Sequence, residues 1–197
     1  MGEPELIHGA VPEGCEILEL GAGAGRITHA LLALGHRVVA VDQSPEMLAL
    51  VHGAEIVQGD IETLALSRRF PVVVLASNFI NDADAAKRRS YLDCCARHVD
   101  GNGQVLLEGF PAAWEPSTDW SDLGGVRGRL RRVERDGSLI TGEMEYVGEG
   151  WRDVHSFSAR LLTEGELDEA LHAAGLRRRR FLDEKRAWIE AVPLAGH

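Results

Sequence analysis

The chain has 197 residues, and this length fits one domain with a complete hydrophobic core. Hydrophobic residues make up 45% and charged residues 26%, which is ordinary for a globular protein, and the net charge of −10 disfavours a nucleic-acid-binding surface. The three cysteines have neither disulfide nor zinc spacing, and no apolar run approaches the roughly 20 residues of a membrane span. We therefore expect a cytoplasmic protein with no metal site and no nucleic-acid or membrane partner.

The segment before the first predicted strand is polar and contains two prolines. Leu6 and Ile7 either dock a short helix or belong to a mobile arm. His8 in the same segment is expected to be solvated.

A glycine-rich turn follows the first apolar run. Ile17–Leu20 has the length of a buried strand, Gly21, Gly23 and Gly25 then occupy alternate positions, and helical spacing of apolar residues begins at Ile27. A strand, a glycine turn and a helix in this order form a nucleotide-binding corner, because glycine lets the backbone turn tightly and approach a ligand. The first N–H groups of the helix then point toward that ligand.

The next strand ends in an acidic residue. Gly35 ends the first helix, Val38–Val41 form a second buried strand, and Asp42 lies at its tip. In a doubly wound sheet the second strand lies beside the first, so this carboxylate is placed to accept hydrogen bonds from both hydroxyls of a ribose. Ser44 then caps a helix, with Pro45 at the first helical position.

Three further strands complete the parallel part of the predicted sheet. The third strand and its exit lie in Ala54–Leu64, and the fourth, continuously apolar strand and its loop lie in Phe70–Asp82. This loop must open into the crevice where ligands bind in such sheets. A helix over Lys87–Val99 and a turn at Gly101–Gly103 lead to the fifth strand, Gln104–Phe110.

An antiparallel insert is predicted after the fifth strand. Its three extended segments are Val126–Glu134, Leu139–Val147 and Trp151–Leu161. Asp136-Gly137 indicates a tight hairpin between the first two segments. A two-residue turn at this dipeptide places Val133 opposite Ile140.

The chain then returns to the main sheet. Thr163 and Glu166 form a capping box at the start of a helix that Gly175 ends. The final two strands are predicted at Leu176–Asp183 and Ala187–Val192. The arginines at 177–180 are interpreted as solvated residues that protect an edge strand, in preference to a phosphate-binding patch.

Several of these features together resemble the motifs of class I S-adenosylmethionine (SAM) dependent methyltransferases. Glu19–Gly25 resembles the first motif, Val39–Leu48 the second, and Gly59-Asp60-Ile61 the adenine motif. The resemblance implies an α/β fold, a Rossmann-like, doubly wound, seven-stranded sheet whose last strand is antiparallel. It also implies that residues 1–197 form a single domain, in which the β insert at about 111–161 acts as a lid.

The resemblance further implies which residues bind SAM. Asp42 binds the ribose, Met47 packs near adenine, and Asp60 accepts a hydrogen bond from the adenine amine. The implied cofactor-binding residues are Glu19, Gly21, Ala22, Gly23, Gly25, Asp42, Gln43, Met47, Asp60, Ile61, Ala76, Ser77 and Asn78. The product of the cofactor would be S-adenosylhomocysteine (SAH).

The acceptor site is predicted from fewer signals. Methyl transfer needs alignment, desolvation and, for a poor nucleophile, a base. His155 is the candidate base, with a structural role as an equal alternative, and Glu108 and Asp119 are weaker candidates. The candidate acceptor-binding residues are Phe79, Asn81, Phe110, Trp114, Trp120 and Trp151. The insert arginines Arg127, Arg129 and Arg131 are interpreted as solvated partners of Glu143 and Glu145, in preference to a role in recognising an acidic substrate.

These features predict a SAM-dependent methyltransferase that acts on an oxygen or nitrogen atom of a small molecule of the secondary-metabolite type. It is predicted to act without a metal, as a monomer or as a homodimer joined through the insert. One alternative is an RNA or protein methyltransferase, which the acidic composition and the lack of an Asn-Pro-Pro-Tyr type run disfavour. The other is a SAM-binding protein of this fold with a structural or non-methylating role.

Overall fold

A seven-stranded sheet forms the centre of the computed structural model, which describes residues 2–111, 113–122 and 127–194. The strands are β1 (Glu16–Leu20), β2 (Arg37–Asp42), β3 (Glu55–Gln58), β4 (Phe70–Leu75), β5 (Val99–Glu108), β10 (Leu176–Phe181) and β11 (Trp188–Pro193). They are ordered β10-β11-β5-β4-β1-β2-β3, and β11 is antiparallel to both of its neighbours. This arrangement confirms the predicted doubly wound sheet with an antiparallel last strand.

A second, antiparallel sheet and several helices surround the main sheet. The second sheet contains β6 (Ser121–Asp122), β7 (Arg127–Asp136), β8 (Leu139–Gly148) and β9 (Trp151–Arg160). The helices are α1 (Glu3–Ala10), α2 (Arg26–Ala33), α3 (Pro45–Leu48), α4 (Ala85–His98) and α5 (Glu164–Ala173), with a 3-10 turn at Phe79–Asn81. Among the residues that the model describes, no helix is both long and apolar enough to span a bilayer.

The order of the strands creates a crevice between β1 and β4. From β1 the chain adds β2 and β3 on one side, whereas β4 and β5 lie on the other side. Loops that leave the carboxyl ends of β1 and β4 therefore diverge, and ligands of open α/β sheets bind at such a point. The loops that follow β1, β2 and β4 carry most of the predicted cofactor residues and meet at this edge.

Apolar side chains alternate along the strands and are buried on both faces of the main sheet. Leu18 and Val73 belong to the face that α4 and α5 cover, whereas Ile17 and Val72 belong to the face that α1 and α2 cover. The sheet is therefore the middle of three layers, and its carboxyl edge is held rigidly from both sides.

The N-terminal segment is a docked helix, so the alternative of a mobile arm was wrong. Ile7 is fully buried in the same cluster as Ile17 and Ile27. The side-chain amide of Gln104 donates a hydrogen bond from Nε2 to the carbonyl oxygen of Ala10 at 3.0 Å. Both ends of α1 are thus attached to the body of the protein.

His8 of α1 is part of a buried contact. Its Nδ1 lies 2.9 Å from Nε2 of His36, and Nδ1 of His36 lies 3.5 Å from the Cys15 sulfur. Burial, together with the nearby His8, lowers the pKa of His36 and favours the neutral ring. The prediction that His8 is solvated was wrong, because α1 packs across the loop that contains His36.

The hairpin between β7 and β8 has a different register from the predicted one. Ile140 pairs with Arg135 and not with Val133, because the two turn residues are Gly137 and Ser138. Gly137 has φ of +59°, which suits the first position of a type II′ turn. The turn was predicted one residue earlier than it is observed. This error changes the partner of every residue in the hairpin.

Two further details of the second sheet were not predicted. A bulge interrupts β7 at Arg132, whose φ is +47°. On the N-terminal side of the bulge, Arg131 pairs with Glu143. The two-residue strand β6 pairs with the start of β7. The predicted first residue of β7, Val126, lies outside the described residues.

The strand β5 begins earlier than predicted. It includes Gly101–Gly103, which were predicted as a turn, and its pairing with β4 is irregular there. Gly103 is required at this irregularity, because a Cβ would lie 2.8 Å from the carbonyl oxygen of Pro71. Gly101–Gly103 thus form an irregular segment within β5.

A buried amide helps to attach the second sheet to the main sheet. Asn81 Nδ2 donates to the carbonyl oxygen of Arg160 at 2.8 Å, and Asn81 Oδ1 accepts from the backbone N–H of Phe110 at 2.7 Å. An isolated antiparallel bridge joins Asp82 to Ala159 beside it. The end of β9 is therefore fixed to the exits of β4 and β5, next to the crevice.

Truncation of Ile7 tests whether α1 is an integral part of the fold. Since the side chain is fully buried, we expect Ile7→Ala to lower the free energy of unfolding by roughly 2–4 kcal/mol in urea denaturation. Ile56→Ala is the matched control, because Ile56 on the edge strand β3 is 46% exposed and its truncation should cost less than about 0.5 kcal/mol. Equal losses in both variants would contradict the docking of α1.

Candidate functional site

The glycine turn after β1 is held in place by β2. The N–H groups of Gly21 and Ala22 both donate to the carbonyl oxygen of Val41 at 2.9 Å. Gly21, Gly23 and Gly25 have φ values of +73°, +56° and +84°, a region that costs other residues about 1–2 kcal/mol. The alternating glycines are thus a conformational requirement of this turn.

One side of the turn is closed and another is open. A Cβ on Gly21 would lie 2.7 Å from the Phe79 ring and 3.5 Å from Ile61, whereas a Cβ on Gly23 would meet no atom within 4 Å. Phe79 itself packs edge-to-face against Tyr91, with ring centroids 5.3 Å apart. The backbone at Gly23 therefore leaves room for a ligand beside a wall formed by Phe79 and Ile61.

Asp42 joins the glycine turn to the exit of β2. Its Oδ2 accepts a hydrogen bond from the N–H of Gly23 at 2.8 Å, and its Oδ1 accepts one from the N–H of Ser44 at 2.9 Å. Each oxygen keeps a second lone pair for another donor. The N–H of Gly59 donates to the carbonyl oxygen of Asp42 at 3.0 Å, which brings Asp60 to the same edge of the sheet.

Glu19 is a buried acid just before the glycine turn. The residue is 2% exposed, and its Oε2 accepts a hydrogen bond from the hydroxyl of Thr28 at 2.5 Å. Burial raises the pKa of Glu19 to about 7, against the opposing effects of the Thr28 hydrogen bond and the charge of Arg26. The carboxyl group therefore changes its charge near neutral pH.

The loop after β4 has a strained backbone. Ser77 and Asn78 have φ of +59° and +58° although neither is glycine, and such residues are found at functional sites. The N–H of Ser77 donates to Glu108 Oε2 at 2.7 Å and ties the exits of β4 and β5 together. Burial and the charge of Glu3 raise the pKa of Glu108, whereas the Ser77 hydrogen bond and Arg26 lower it. The strained backbone at Ser77 is thus in contact with a half-buried acid.

Two residues at this end of the crevice were not predicted. Arg26, the first residue of α2, forms an ion pair with Glu3 of α1. Burial raises the pKa of Tyr146 on β8, and the charge of Arg26 opposes this shift. A cation in the first turn of a helix opposes the helix dipole, and this was the signal for Arg26 in the sequence. Tyr146 had no comparable signal.

His155, the predicted base, lies beside Tyr146 on the second sheet. The two ring centroids are 6.0 Å apart, and His155 Nε2 lies 2.9 Å from Asp153 Oδ2. Because Met144 pairs with His155 and Tyr146 pairs with Asp153, all four residues share one face of the sheet. The side chain of His155 is 63% exposed, so the imidazole is accessible to a substrate.

The other face of the second sheet carries arginines around Glu145. Its carboxylate contacts Arg129 at 2.7 Å, Arg152 at 2.5 Å and Arg131 at 3.5 Å, and the hydrogen bond from Arg129 lowers its pKa most. The guanidinium of Arg129 also lies over Trp120, 4.5 Å from the ring centroid. The predicted pairing with Glu145 is thereby confirmed for Arg129 and Arg131, but Glu145 is 2% exposed and not solvated, and Glu143 forms its ion pair with Arg132.

The predicted aromatic residues do not form one wall. Trp120 lies on the arginine cluster because its ring stacks on guanidinium groups, and Trp151 lies at the far end of β9, 48% exposed against Gly148. Trp114 instead packs on Phe110, with ring centroids 4.2 Å apart. Of the predicted acceptor residues, Phe79, Asn81, Phe110 and Trp114 are brought together near the exits of β4 and β5, and Trp120 and Trp151 are not.

A cleft of about 330 Å³ opens beside these exits. Its lining is mostly apolar and includes Ile80, Phe110 and Phe181, with Glu164 and the loop 184–186 as charged neighbours. Asn81 also lines the cleft, although both polar atoms of its amide already bond to the backbone. The cleft lies on the carboxyl edge of the main sheet, as the glycine turn does.

The other predicted cofactor residues differ in burial and in their contacts. Ala22 and Ala76 are small and buried, Met47 is 47% exposed, and the carbonyl oxygen of Gln43 accepts a hydrogen bond from Gln58 at 3.3 Å. In the part of the chain that the model describes, no three His, Cys, Asp or Glu side chains are grouped to hold a metal ion. Independence of metal stays a prediction.

Sequence comparison links this chain to methyltransferases. Residues 17–103 match the family model described as a methyltransferase domain. A cypemycin N-terminal methyltransferase from a Streptomyces species is 32% identical over 103 residues, which cover 49% of this chain and 42% of the relative. An uncharacterised methyltransferase of Mycobacterium bovis is 32% identical over 138 residues, which cover 70% of this chain and 54% of the relative. The chain thus spans about half the length of these relatives.

Solved structures of methyltransferases share the fold. A SAM-dependent methyltransferase from Clostridium acetobutylicum has a TM-score of 0.76 at 18% identity, over 98% of this chain and 91% of that chain. The amino pentose methyltransferase CalS10 from Micromonospora echinaspora, solved with SAM, has a TM-score of 0.72 at 22% identity, over 96% and 88%. The glycopeptide N-methyltransferase MtfA, solved with SAH, has a TM-score of 0.66 at 27% identity, over 97% and 86%.

The fold is therefore that of the class I SAM-dependent methyltransferases, with the same seven-stranded sheet. The match over residues 17–103 includes the glycine turn and Asp42, whose carboxylate joins that turn to β2. Residues 17–103 thus match a methyltransferase domain, and the chain has the fold of SAM-dependent methyltransferases, as the motifs predicted.

The buried carboxyl of Glu19 makes stability depend on pH in a defined direction. Because its pKa is raised to about 7, ionisation opposes folding, and its contribution to stability falls as pH rises from about 4.5 through 7. Glu19→Gln removes this loss, so the free energy of unfolding of the variant relative to wild type should increase by about 2–3 kcal/mol between pH 5 and pH 8. Urea denaturation at both pH values measures the change.

Glu169→Gln is the control for this experiment, because Glu169 is an exposed residue of α5. Its stability relative to wild type should not change between the two pH values. A Glu19→Gln difference that is constant with pH would show that the Glu19 pKa is not raised.

Proposed function

We propose that this protein transfers a methyl group from SAM to an amine nitrogen of a small molecule. The observation that carries the proposal is the carboxylate of Asp42, which two backbone N–H groups fix beside an open glycine turn. The match of residues 17–103 to a methyltransferase domain supports SAM as the donor, and the cleft beside β5 supports a small acceptor. We further propose that residues 1–197 act as one domain, with the insert as a lid, as a monomer or as a homodimer joined through the insert.

Contacts at the carboxyl edge of the sheet support the assignment of the donor. Asp42 can accept hydrogen bonds from both ribose hydroxyls, since each oxygen retains a lone pair beside its backbone partner. Asp60 and Ile61 follow on the β3 side, which suits the adenine, and Ala76, Ser77 and Asn78 on the β4 side suit the sulfonium end. Phe79, fixed between Gly21 and Tyr91, suits a contact with the cofactor better than one with the acceptor.

The cleft and the related proteins support an amine acceptor. A volume of about 330 Å³ lies within the range of small-molecule sites. MtfA is named an N-methyltransferase, CalS10 an amino pentose methyltransferase and the Streptomyces relative an N-terminal methyltransferase. These names favour nitrogen over oxygen as the methylated atom in this chain.

The proposed chemistry needs a proton acceptor on the protein. When bound, SAM supplies a methyl group that the sulfonium charge has already activated. An amine that is protonated in water must lose a proton before its lone pair can attack. We assign this proton to His155, whose Nε2 lies 2.9 Å from Asp153, and Asp153 then stabilises the imidazolium. Tyr146 on the same face is assigned a role in orienting the acceptor.

Calorimetric titration with SAM and SAH tests the donor assignment. We expect wild type to bind both, and Asp42→Ala to weaken binding roughly 100-fold or more, because it removes the acceptor of two charge-assisted hydrogen bonds to the ribose. Asp93→Ala is the control, because Asp93 on α4 pairs with Arg89 at the surface. Failure of wild type to bind either compound would refute the proposed function, and undiminished binding by Asp42→Ala would refute the ribose assignment.

Transfer from methyl-labelled SAM to a panel of amino sugars, amine-terminated peptides and phenols tests the acceptor class. We expect label in the amines, and we expect His155→Gln to lower kcat roughly 100-fold without changing the affinity for SAH, because the proton acceptor is lost. His172→Gln, an exposed histidine of α5, is the control and should retain full activity. Label only in phenols would overturn the choice of nitrogen, and an unchanged kcat in His155→Gln would overturn its role.

A further inference from the structure

The second sheet ends in a long, exposed edge strand. Among the residues that the structure describes, β9 is the last strand of this sheet, and it pairs with β8 along its whole length without a shift of register. Six consecutive residues of β9, from Trp151 to Ser156, are exposed. Natural edge strands are often protected against pairing by proline, lysine or a bulge, and β9 has none of these. The edge of β9 can therefore accept a further strand.

Hydrogen bonds near the end of β9 show which of its backbone groups point outward. The carbonyl oxygen of Ser158 accepts the N–H of Ala83 at 3.4 Å. The carbonyl oxygen of Arg160 accepts Nδ2 of Asn81 at 2.8 Å, so both oxygens point away from β8. Outward and inward groups alternate along an antiparallel strand. The exposed residues whose N–H and C=O groups consequently point to the open edge are Arg152, Val154 and Ser156.

The N–H of Val154 agrees with this orientation. It donates to Oδ1 of the neighbouring Asp153 at 2.8 Å, while Oδ2 of the same carboxylate lies 2.9 Å from Nε2 of His155. The carbonyl oxygen of an added strand can replace Oδ1 as the acceptor, and Oδ2 can keep its contact with His155. Pairing at Val154 therefore requires no hydrogen bond to β8 to break.

The chain itself already pairs with part of this edge. An isolated antiparallel bridge joins Asp82 to Ala159, beside the hydrogen bond from the N–H of Ala83. The chain then enters α4, whose N-cap is Asp84. The edge of β9 thus accepts a short extended segment at its C-terminal end, and the exposed run from Trp151 to Ser156 continues the same edge.

The side chains beside this edge carry an excess of positive charge. Three arginine Nε atoms lie 2.7, 3.5 and 2.5 Å from the carboxylate of Glu145, and they belong to Arg129, Arg131 and Arg152. Three cations around one anion leave two positive charges unbalanced, and their N–H groups exceed what one carboxylate can accept. Because Val154 pairs with Glu145, these arginines share a face with the outward-pointing residues of β9. The side chain of Arg152, on β9 itself, is 57% exposed.

We propose that the edge of β9 from Trp151 to Ser156 binds an extended segment of an acidic peptide as an added strand. The backbone of the segment pairs with the outward groups of β9, and acidic side chains at its alternate positions lie on the face of Arg152. A second copy of this chain suits the edge less well, because it brings a second set of arginines into the same sheet. Nucleic acid matches the charge but lacks the backbone pattern of a strand. The inference goes beyond the proposed function and does not depend on it.

Fluorescence anisotropy with two labelled peptides of equal composition tests the proposal on the full-length protein. One peptide alternates its charges (Glu-Thr-Glu-Val-Glu-Thr-Glu), and the other has them in one block (Glu-Glu-Glu-Glu-Thr-Val-Thr). We expect the alternating peptide to bind roughly 10-fold more tightly, because in a strand all of its carboxylates lie on one face, toward the arginines.

Val154→Pro tests the pairing of strands. Proline removes the outward N–H of residue 154 but no hydrogen bond to β8, so the variant should fold and bind the alternating peptide roughly 10-fold or more weakly. Val154→Thr is the matched control, because it keeps both the N–H and the preference for a strand and should bind as wild type does. Melting temperatures of the two variants check that the fold is retained.

Arg152→Gln tests the contribution of charge without a change of backbone. We expect it to weaken binding of the alternating peptide roughly 10-fold at low salt, and less at high salt, where charges are screened. Arg89→Gln is the control, because it removes a surface arginine of α4 that pairs with Asp93. Equal effects of the two variants would contradict a specific role of the β9 edge.

The remaining outcomes identify other occupants of the edge. Equal affinity for the two peptides, or unchanged binding by Val154→Pro, would overturn the proposal, because the attraction would not involve a strand. Failure of wild type to bind the alternating peptide would also overturn it. If wild type is then a dimer in analytical ultracentrifugation and Val154→Pro is a monomer, the edge belongs to a second copy. Tighter binding of a single-stranded DNA heptamer than of the alternating peptide would overturn the proposal in favour of nucleic acid.

Discussion

The crevice depends on the hydrogen bonds by which β2 fixes the glycine turn that follows β1. Three alternating glycines provide no side chains, so the turn after β1 has to be positioned by its neighbour. Val41 accepts two of its N–H groups, and the Asp42 carboxylate accepts a third, at Gly23. Charge-assisted contacts of this kind are stronger than ordinary hydrogen bonds. The carboxylate of Asp42, which fixes the turn, is thus also available to a ligand bound in the turn. Folding of this corner and ligand binding there therefore depend on the same residue.

The electrostatics of the carboxyl edge suit a donor that is cationic before the reaction and loses a charge during it. Glu19, Asp42 and Glu108 lie along this edge, and Arg26 is partly neutralised by Glu3. SAM carries a sulfonium that SAH lacks, so an acidic edge favours exchange of product for fresh donor. A bound sulfonium would also favour ionisation of Glu19, whose pKa of about 7 leaves the group poised to respond.

The donor side of the molecule could be predicted from the sequence because its signals are local. Gly21, Gly23 and Gly25 lie where the backbone requires positive φ, and Asp42 follows a strand that can only lie beside β1. The acceptor side could not be predicted as well, because it depends on pairing between distant residues. Because the turn was predicted one residue too early, Val133 was expected opposite Ile140, where the structure has Arg135. The bulge at Arg132, whose φ is positive, was not predicted because no glycine marks it in the sequence. Arg26 and Tyr146 were missed because their partners come from other elements.

The register of the second sheet decides which side chains lie together on each of its faces. Tyr146, Asp153 and His155 share one face, and Glu145 with its arginines occupies the other, so a slip of one residue in β8 or β9 would exchange the two sets. The buried amide of Asn81 prevents relative movement, because it bonds to the end of β9 and to the exit of β5 at once. A residue in the loop after β4 therefore fixes the position of the end of β9. The Asp82–Ala159 bridge beside this amide adds a second connection, so the end of β9 is fixed to the loop after β4 at two neighbouring residues.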